Sequence, residues 1–229
     1  MLTRKESTEM GNPKRRALAS VLLTVVMLGL GGSAVKAQQG REALLELENK
    51  IPLGVVHGRI DHLAIDLARK RLFIAELENN TVGIVDLGTG SLLQRITGLK
   101  EPQGVGYVPS VDTLFVANAG DGTVRLFRGE DFAPAAHVEL GKDADNVRVD
   151  ADSKWVYVGY GAGGLAVIDP VTRARSKDIA LPAHPESFQI SRSTRLVFVN
   201  LPDAQSIGVI DTVDLPRFRG EVRIFAQGI

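Results

Sequence analysis

The sequence predicts an all-β fold made of a repeated four-strand unit, and three observations carry that expectation. The chain matches itself at a step of 42 residues, so that Arg71 to Glu76 (R-L-F-I-A-E) falls under Thr113 to Asn118 (T-L-F-V-A-N), and Thr81 to Asp86 under Thr123 to Arg128. The next step brings Trp155 to Tyr160 and Gly164 to Asp169 into line, and a fourth copy follows with Leu196 to Asn200 and Ser206 to Asp211. The matching pieces are short apolar runs bounded by turn residues, and none calls for a helix. Self-similarity at about 40 residues made of such runs is the signature of propeller blades or of a solenoid.

Within the first unit the strands are expected at about Asp61 to Asp66, Arg71 to Glu76, Thr81 to Asp86 and Leu92 to Thr97. The second strand of each unit is an unbroken apolar run, as in Leu72-Phe73-Ile74-Ala75 and Leu114-Phe115-Val116-Ala117. Such a run suits a strand covered on both faces by neighbouring sheets. Asn79-Asn80 and Asp121-Gly122 stand at equivalent places between strands two and three, and Asn and Gly accept the positive φ of a tight hairpin. Asp66, Asp86 and Asp150 stand where a carboxylate caps its own turn. The units are expected over about 60–98, 102–141, 144–182 and 185–211, with an aberrant tail over 212–229.

Composition bounds the rest. At 44% hydrophobic and 24% charged the chain is an ordinary globular one. Lys plus Arg and Asp plus Glu both number 27, so no global basic field draws in nucleic acid, and no nucleic-acid partner is expected. The lack of cysteine excludes disulfides, thiolate metal sites and cysteine nucleophiles. At the N-terminus, Lys14-Arg15-Arg16 precedes an apolar run from Ala17 to Leu30 and then small residues up to Ala37, the pattern of a cleaved secretory signal. Residues 1–37 are read as that signal, with Met10 an alternative start, and 38–229 as an exported, periplasmic or extracellular repeat domain. The run is short of the ~20 residues a bilayer span takes, so no membrane span is expected after cleavage.

Phe115-Val116-Ala117-Asn118, Tyr157-Val158-Gly159 and Phe198-Val199-Asn200, each followed by a V-I-D-like strand, resemble the YVTN-repeat β-propeller family over about Leu44 to Asp211. The resemblance implies a propeller of four-stranded antiparallel blades and says little about chemistry. A complete member has about seven units, so four legible units imply a propeller truncated on its C-terminal side, an incomplete or open ring. The resemblance also implies that Leu44 to Leu53 supplies an outer strand to the last blade, and that Glu221 to Phe225 is the third strand of a blade lacking its first two. An open blade edge then favours self-association.

Gly159 to Gly164 fits G-x-G-x-x-G, yet a strand follows where a nucleotide fold places a helix, so the glycines read as a hairpin. Asn79-Asn80-Thr81 fits a glycosylation sequon and reads as the same turn, while His57 and His137 lack partner spacing. No G-x-S-x-G, H-E-x-x-H or phosphate-loop pattern occurs.

In a propeller the first strands line the central channel, so residues entering them converge. Those residues are Asp61-His62, Gln103-Gly104, Asp145-Asn146 and Glu186-Ser187, with Glu76, Asn118, Asp121, Tyr160, His184, Asn200 and Asp203 on loops of the same face. Asp61, His62, Gln103, Asn118, Asp145, Asn146, Glu186 and Asn200 are therefore the candidate ligand-binding residues. Asn118, Asp145, Asn146 and Glu186 offer the oxygens Ca²⁺ takes, and His62 or His184 could act as a general base beside them. The bland alternative is that these groups cap backbone and face water. The sequence favours a binding or scaffolding role for a protein or small-molecule ligand over catalysis. A Ca²⁺-dependent lactonase-like hydrolase and a surface adhesion module are the alternatives.

Overall fold

The computed structural model describes residues 45–152, 154–212 and the strand Val222–Ala226. The expected signal peptide, its expected cleavage near Ala37 and the alternative start at Met10 lie outside them. The described residues fall into two units divided after Glu48, and all of the strands lie in the second. No helix among the described residues is long and apolar enough to cross a membrane.

Four four-stranded antiparallel sheets follow one another in the chain, each with its strands in sequence order. Blade 1 holds β1 (Ile60–Asp66), β2 (Arg71–Glu76), β3 (Thr81–Asp86) and β4 (Ser91–Ile96). Blade 2 holds β5 (Pro102–Val108), β6 (Thr113–Asn118), β7 (Thr123–Arg128) and β8 (Pro134–Glu139). Blade 3 holds β9 (Ala144–Val149), β10 (Val156–Tyr160), β11 (Gly164–Asp169) and β12 (Ala174–Ala180). Blade 4 holds β13 (Ser187–Ser191), β14 (Leu196–Leu201), β15 (Ser206–Asp211) and β16 (Val222–Ala226). The arrangement is that of an open β-propeller, with the first strands β1, β5, β9 and β13 next to one another.

The core lies between blades, in three apolar layers. Phe73, Ala75 and Ile84 of blade 1 meet Val105, Leu114 and Val116 of blade 2. Phe115, Ala117 and Leu126 then meet Val147, Val156 and Val158, and Tyr157, Leu165 and Val167 meet Phe188, Val197 and Val199. Period-2 alternation sends neighbouring residues of one strand to opposite layers, which is why the second strands need apolar residues at every position. Two glycines set the distance between first strands. A Cβ on Gly104 would run into the carbonyl oxygen of Asp145, and one on Gly106 into the side chain of Val147.

The turns follow the sequence. Asn80 and Gly122 close the β2–β3 and β6–β7 connections at φ of 57° and 66°. Asp86 Oδ1 accepts hydrogen bonds from the Gly88 and Thr89 amides at 2.7 and 2.9 Å, and Asp66 Oδ1 from those of Ala68 and Arg69 at 3.1 and 3.2 Å. Asp150 likewise accepts from the Asp152 amide at 3.0 Å. The glycines from Gly159 to Gly164 form the β10–β11 hairpin, with Tyr160 paired to Gly164. Blades 1 and 2 are also clamped by Arg69, whose two terminal nitrogens each lie 2.9 Å from an Asp112 oxygen, while Nη1 reaches Asp66 at 3.0 Å and the Tyr107 hydroxyl at 2.9 Å. That bidentate clamp has no counterpart in the repeat pattern.

Two expectations are corrected. Residues 45–53 form no strand, and Leu45 and Leu47 are 90% and 72% exposed. The place expected for them, the edge of the last blade, is filled by β16, which pairs antiparallel with β15 from Ile210↔Val222 to Ser206↔Ala226. Thus Val222–Ala226 is the fourth strand of blade 4 and not the third strand of a blade missing its inner half. The run Val222-Arg223-Ile224-Phe225 matches a third strand in pattern, whereas the fourth strands Ser91–Ile96, Pro134–Glu139 and Ala174–Ala180 share no pattern of their own; the hydrogen bonds along the edge of β15 decide its place.

Candidate functional site

Three of the four first strands begin on a β-bulge. The β1–β2 register steps from Ile60↔Glu76 to Leu63↔Ile74, so Asp61 and His62 together oppose Ala75. In β5 the step from Pro102↔Asn118 to Gly104↔Ala117 leaves Gln103 extra. In β9 the step from Ala144↔Tyr160 to Val147↔Val158 sets Asp145 and Asn146 against Gly159. β13 pairs with β14 without a shift. A bulge re-aims side chains at the end of a strand without disturbing the alternation behind it. Three of the four polar pairs named from the sequence sit on these bulges, and Glu186-Ser187 enters β13 without one.

The pairs of blades 1 and 3 converge with His184. Asp61 Oδ2 lies 2.9 Å from Arg59 Nη2, which also donates to Gln103 Oε1 at 2.9 Å. His62 Nδ1 lies 2.9 Å from Asp61 Oδ1, off the line a hydrogen bond needs. His184 Nδ1 contacts the Gly161 carbonyl oxygen at 2.6 Å, with Asp143 Oδ2 at 3.6 Å, and its Nε2 lies 3.9 Å from Asp145 Oδ2. Asp145 is 7% exposed and its Oδ1 has no hydrogen-bond partner among the described residues. Burial pushes its pKa up to about 6, with His62 and His184 pulling it down and Asp61 and Asp143 pushing it further up. The Arg148 guanidinium beside it is held below its usual range by burial, against the pull of Asp145. Asn146, 1% exposed, donates from Nδ2 to the Glu186 carbonyl oxygen at 2.8 Å. That bond fixes the amide orientation and leaves Oδ1 as a second buried acceptor without a donor.

Other predicted residues are not drawn into this cluster. Asn118 is fully buried in its own blade, donating to Thr123 Oγ1 at 3.1 Å and accepting from the Lys100 amide at 3.4 Å. Glu76 is turned inward in the same manner, with Thr81 Oγ1 at 2.6 Å and Arg95 Nε at 2.7 Å from Oε2. Its pKa is lowered: burial, the largest influence, raises it, and the Arg95 and Thr81 hydrogen bonds outweigh that. Glu186 and Asn200 are exposed, joined through the Glu186 amide and the Asn200 carbonyl at 3.1 Å. A calcium cage of Asn118, Asp145, Asn146 and Glu186 does not fit, because the Asn118 side chain is committed to its own blade. Among the described residues no three His, Asp or Glu side chains are grouped to hold a metal ion. Two participants escaped the sequence reading. Arg59 and Asp143 each lie two residues before a named one, a spacing that puts them on the same side of an extended chain.

No protein-family model and no curated protein matches the chain. Solved structures do share the architecture. Hydrazine synthase from Kuenenia stuttgartiensis superposes with a TM-score of 0.63 at 19% identity, over 76% of this chain and 53% of that one. A 6-phosphogluconolactonase-like protein from Bacteroides uniformis gives 0.61 at 14% identity, over 74% and 54%. Its counterpart from Bacteroides fragilis gives 0.58 at 16%, over 72% and 53%. All are propeller-type folds of four-stranded sheets, and this chain spans about half the length of each. At such identities the likeness is one of fold.

Proposed function

We propose that this chain is an exported YVTN-type propeller protein that binds a ligand at the channel mouth through Asp145, Asn146, His62 and His184. Asp145 supports the reading most directly. A carboxylate removed from water is costly unless donors reach it, and here one oxygen has none while Asn146 Oδ1 beside it also lacks one. A ligand bringing hydrogen-bond donors, such as a hydroxyl or an amine, relieves both costs at once. Fold alone does not supply this role.

A lactonase-like hydrolase is the second reading. It draws on the two histidines flanking Asp145 and on the names of two fold neighbours. In it His62 or His184 would move a proton with Asp145 setting the local charge, and no step runs through a metal.

Thermal-shift screening of sugars, lactones, amines and amino acids, with hydrolysis assayed in parallel, separates the two readings. Asp145→Asn should weaken a hit by about tenfold or more, roughly 1.4 kcal/mol, with the β-sheet circular dichroism unchanged. Hits bound equally by the variant would exclude the mouth. Export is checked separately by mass spectrometry of the protein from its native host, with an N-terminus near Gln38 expected and an intact Met1 or Met10 in the exported fraction ruling it out.

A further inference from the structure

One aromatic recurs at the equivalent place in each second strand, Phe73, Phe115 and Phe198 at the third position and Tyr157 at the second of the shorter β10. The first three are 0% exposed, each inserted against the next blade, Phe73 against Leu114 and Val116, Phe115 against Val156 and Val158, and Tyr157 against Val197 and Val199. Phe198 faces the far side of blade 4 and is 39% exposed, with Ile207 beside it at 43%. The opposite end shows the complement. Blade 1 presents Leu72 and Ile74 on the face where blades 2 to 4 receive the preceding aromatic. There an apolar cavity of about 230 Å³ lies between Leu63, Leu72, Ile74 and Val85 of the blade and Ile51 and Leu53 of the segment leading into it, with Ile74 at its floor 4% exposed. Leu63 at its rim is 56% exposed.

We propose that a second copy of this chain closes the row: Phe198 of one copy enters the blade 1 cavity of its partner, and the partner's blade 4 does the same in return. The contact repeats the packing rule already used three times within the chain, so the two end faces are complementary by construction. A head-to-tail contact either closes or grows into a filament. Closure fits the arithmetic here. Four blades from each copy make eight, within the usual propeller range of 4–8, and one chain spans 53% and 54% of the first two propellers it matches. Charged residues do not bar the approach, since the acid on this face of blade 1, Glu76, is already paired with Arg95 at 2.7 Å.

Sedimentation of the full chain tests the proposal. A dimer is expected at micromolar concentration, with Phe198→Asp and Leu63→Asp each monomeric and unchanged in circular dichroism. Mixing the two variants is the deciding step. One variant keeps an intact cavity and the other an intact Phe198, so an equimolar mixture should pair again through a single contact, more weakly than the parent. Phe198→Gln and Leu63→Gln serve the same design should an aspartate variant misfold. A monomeric parent, an indefinite polymer, or a mixture that stays monomeric while the parent dimerises would each overturn it. The last result would indicate a symmetric contact of like faces.

Discussion

The second strands of blades 2 and 4 share a sequence pattern and differ in what surrounds them. All six residues of β6, Thr113–Asn118, are buried, because blade 1 covers one face and blade 3 the other. In β14, Val197, Val199 and Leu201 are 0% exposed whereas Phe198 and Asn200 stand in water. Alternation in burial is therefore a property of the neighbours, imposed on a strand whose own composition gives little sign of it. The end blade 4 carries an apolar face, with Phe198 and Ile207, that no other described blade covers.

Mutation can break that comparison. Phe115→Ala removes a ring packed between blades and should cost about 3–5 kcal/mol, whereas Phe198→Ala, measured in the dilute monomer, should cost about 1 kcal/mol because the ring is already partly wet. Urea unfolding of both variants gives the ratio, and equal losses would mean that the blade 4 face is covered in the monomer. Glu76 and Asn118 sharpen the contrast at matching places in blades 1 and 2. Glu76→Ala strands Arg95 and should cost about 3 kcal/mol, the low end for a broken buried pair, since Arg95 keeps 25% of its side chain exposed. Asn118→Ala loses neutral hydrogen bonds only, about 1 kcal/mol. Glu76 also has a pH signature: its pKa is depressed on folding, so its contribution is present above the unfolded value near 4.3 and is lost as pH falls through the folded one.

A second pH effect concerns Asp145, and its sign is the reverse. A carboxyl whose pKa rises from about 3.9 in the unfolded chain to about 6 in the folded one holds its proton more tightly when folded. Stability from this group should then fall as pH rises from about 4 to about 6 and level off above. The difference in urea midpoint between parent and Asp145→Asn across that window isolates the contribution. A difference that does not vary with pH would place the ionised carboxylate in contact with solvent.

Most of the strand map was legible because repetition constrains it: an apolar run that recurs at a fixed step with Asn80 or Gly122 after it has few other interpretations. Less local facts were not. Asn118 and Glu76 read as mouth residues, since polar residues closing an apolar strand suit a loop, but Thr123 and Thr81 across the hairpin draw them inward. Convergence of Asp61, His62, Asp145 and His184 followed from the architecture, whereas the depth of Asp145 did not, because it depends on Gly104 bringing β5 against the Asp145 backbone. The identity of β16 required knowing which sheet edge lacked a partner.

The three bulges also separate two kinds of change. A one-residue slip in an ordinary strand sends every side chain to the wrong face, so chemistry at the end of such a strand is tied to the packing behind it. At Asp61-His62, Gln103 and Asp145-Asn146 the extra residue absorbs that slip before it reaches the apolar strand. Substitutions, and even single-residue insertions, at the channel rim are thereby uncoupled from the blade interfaces, so a propeller of this kind can acquire a new ligand while its core sequence stands still.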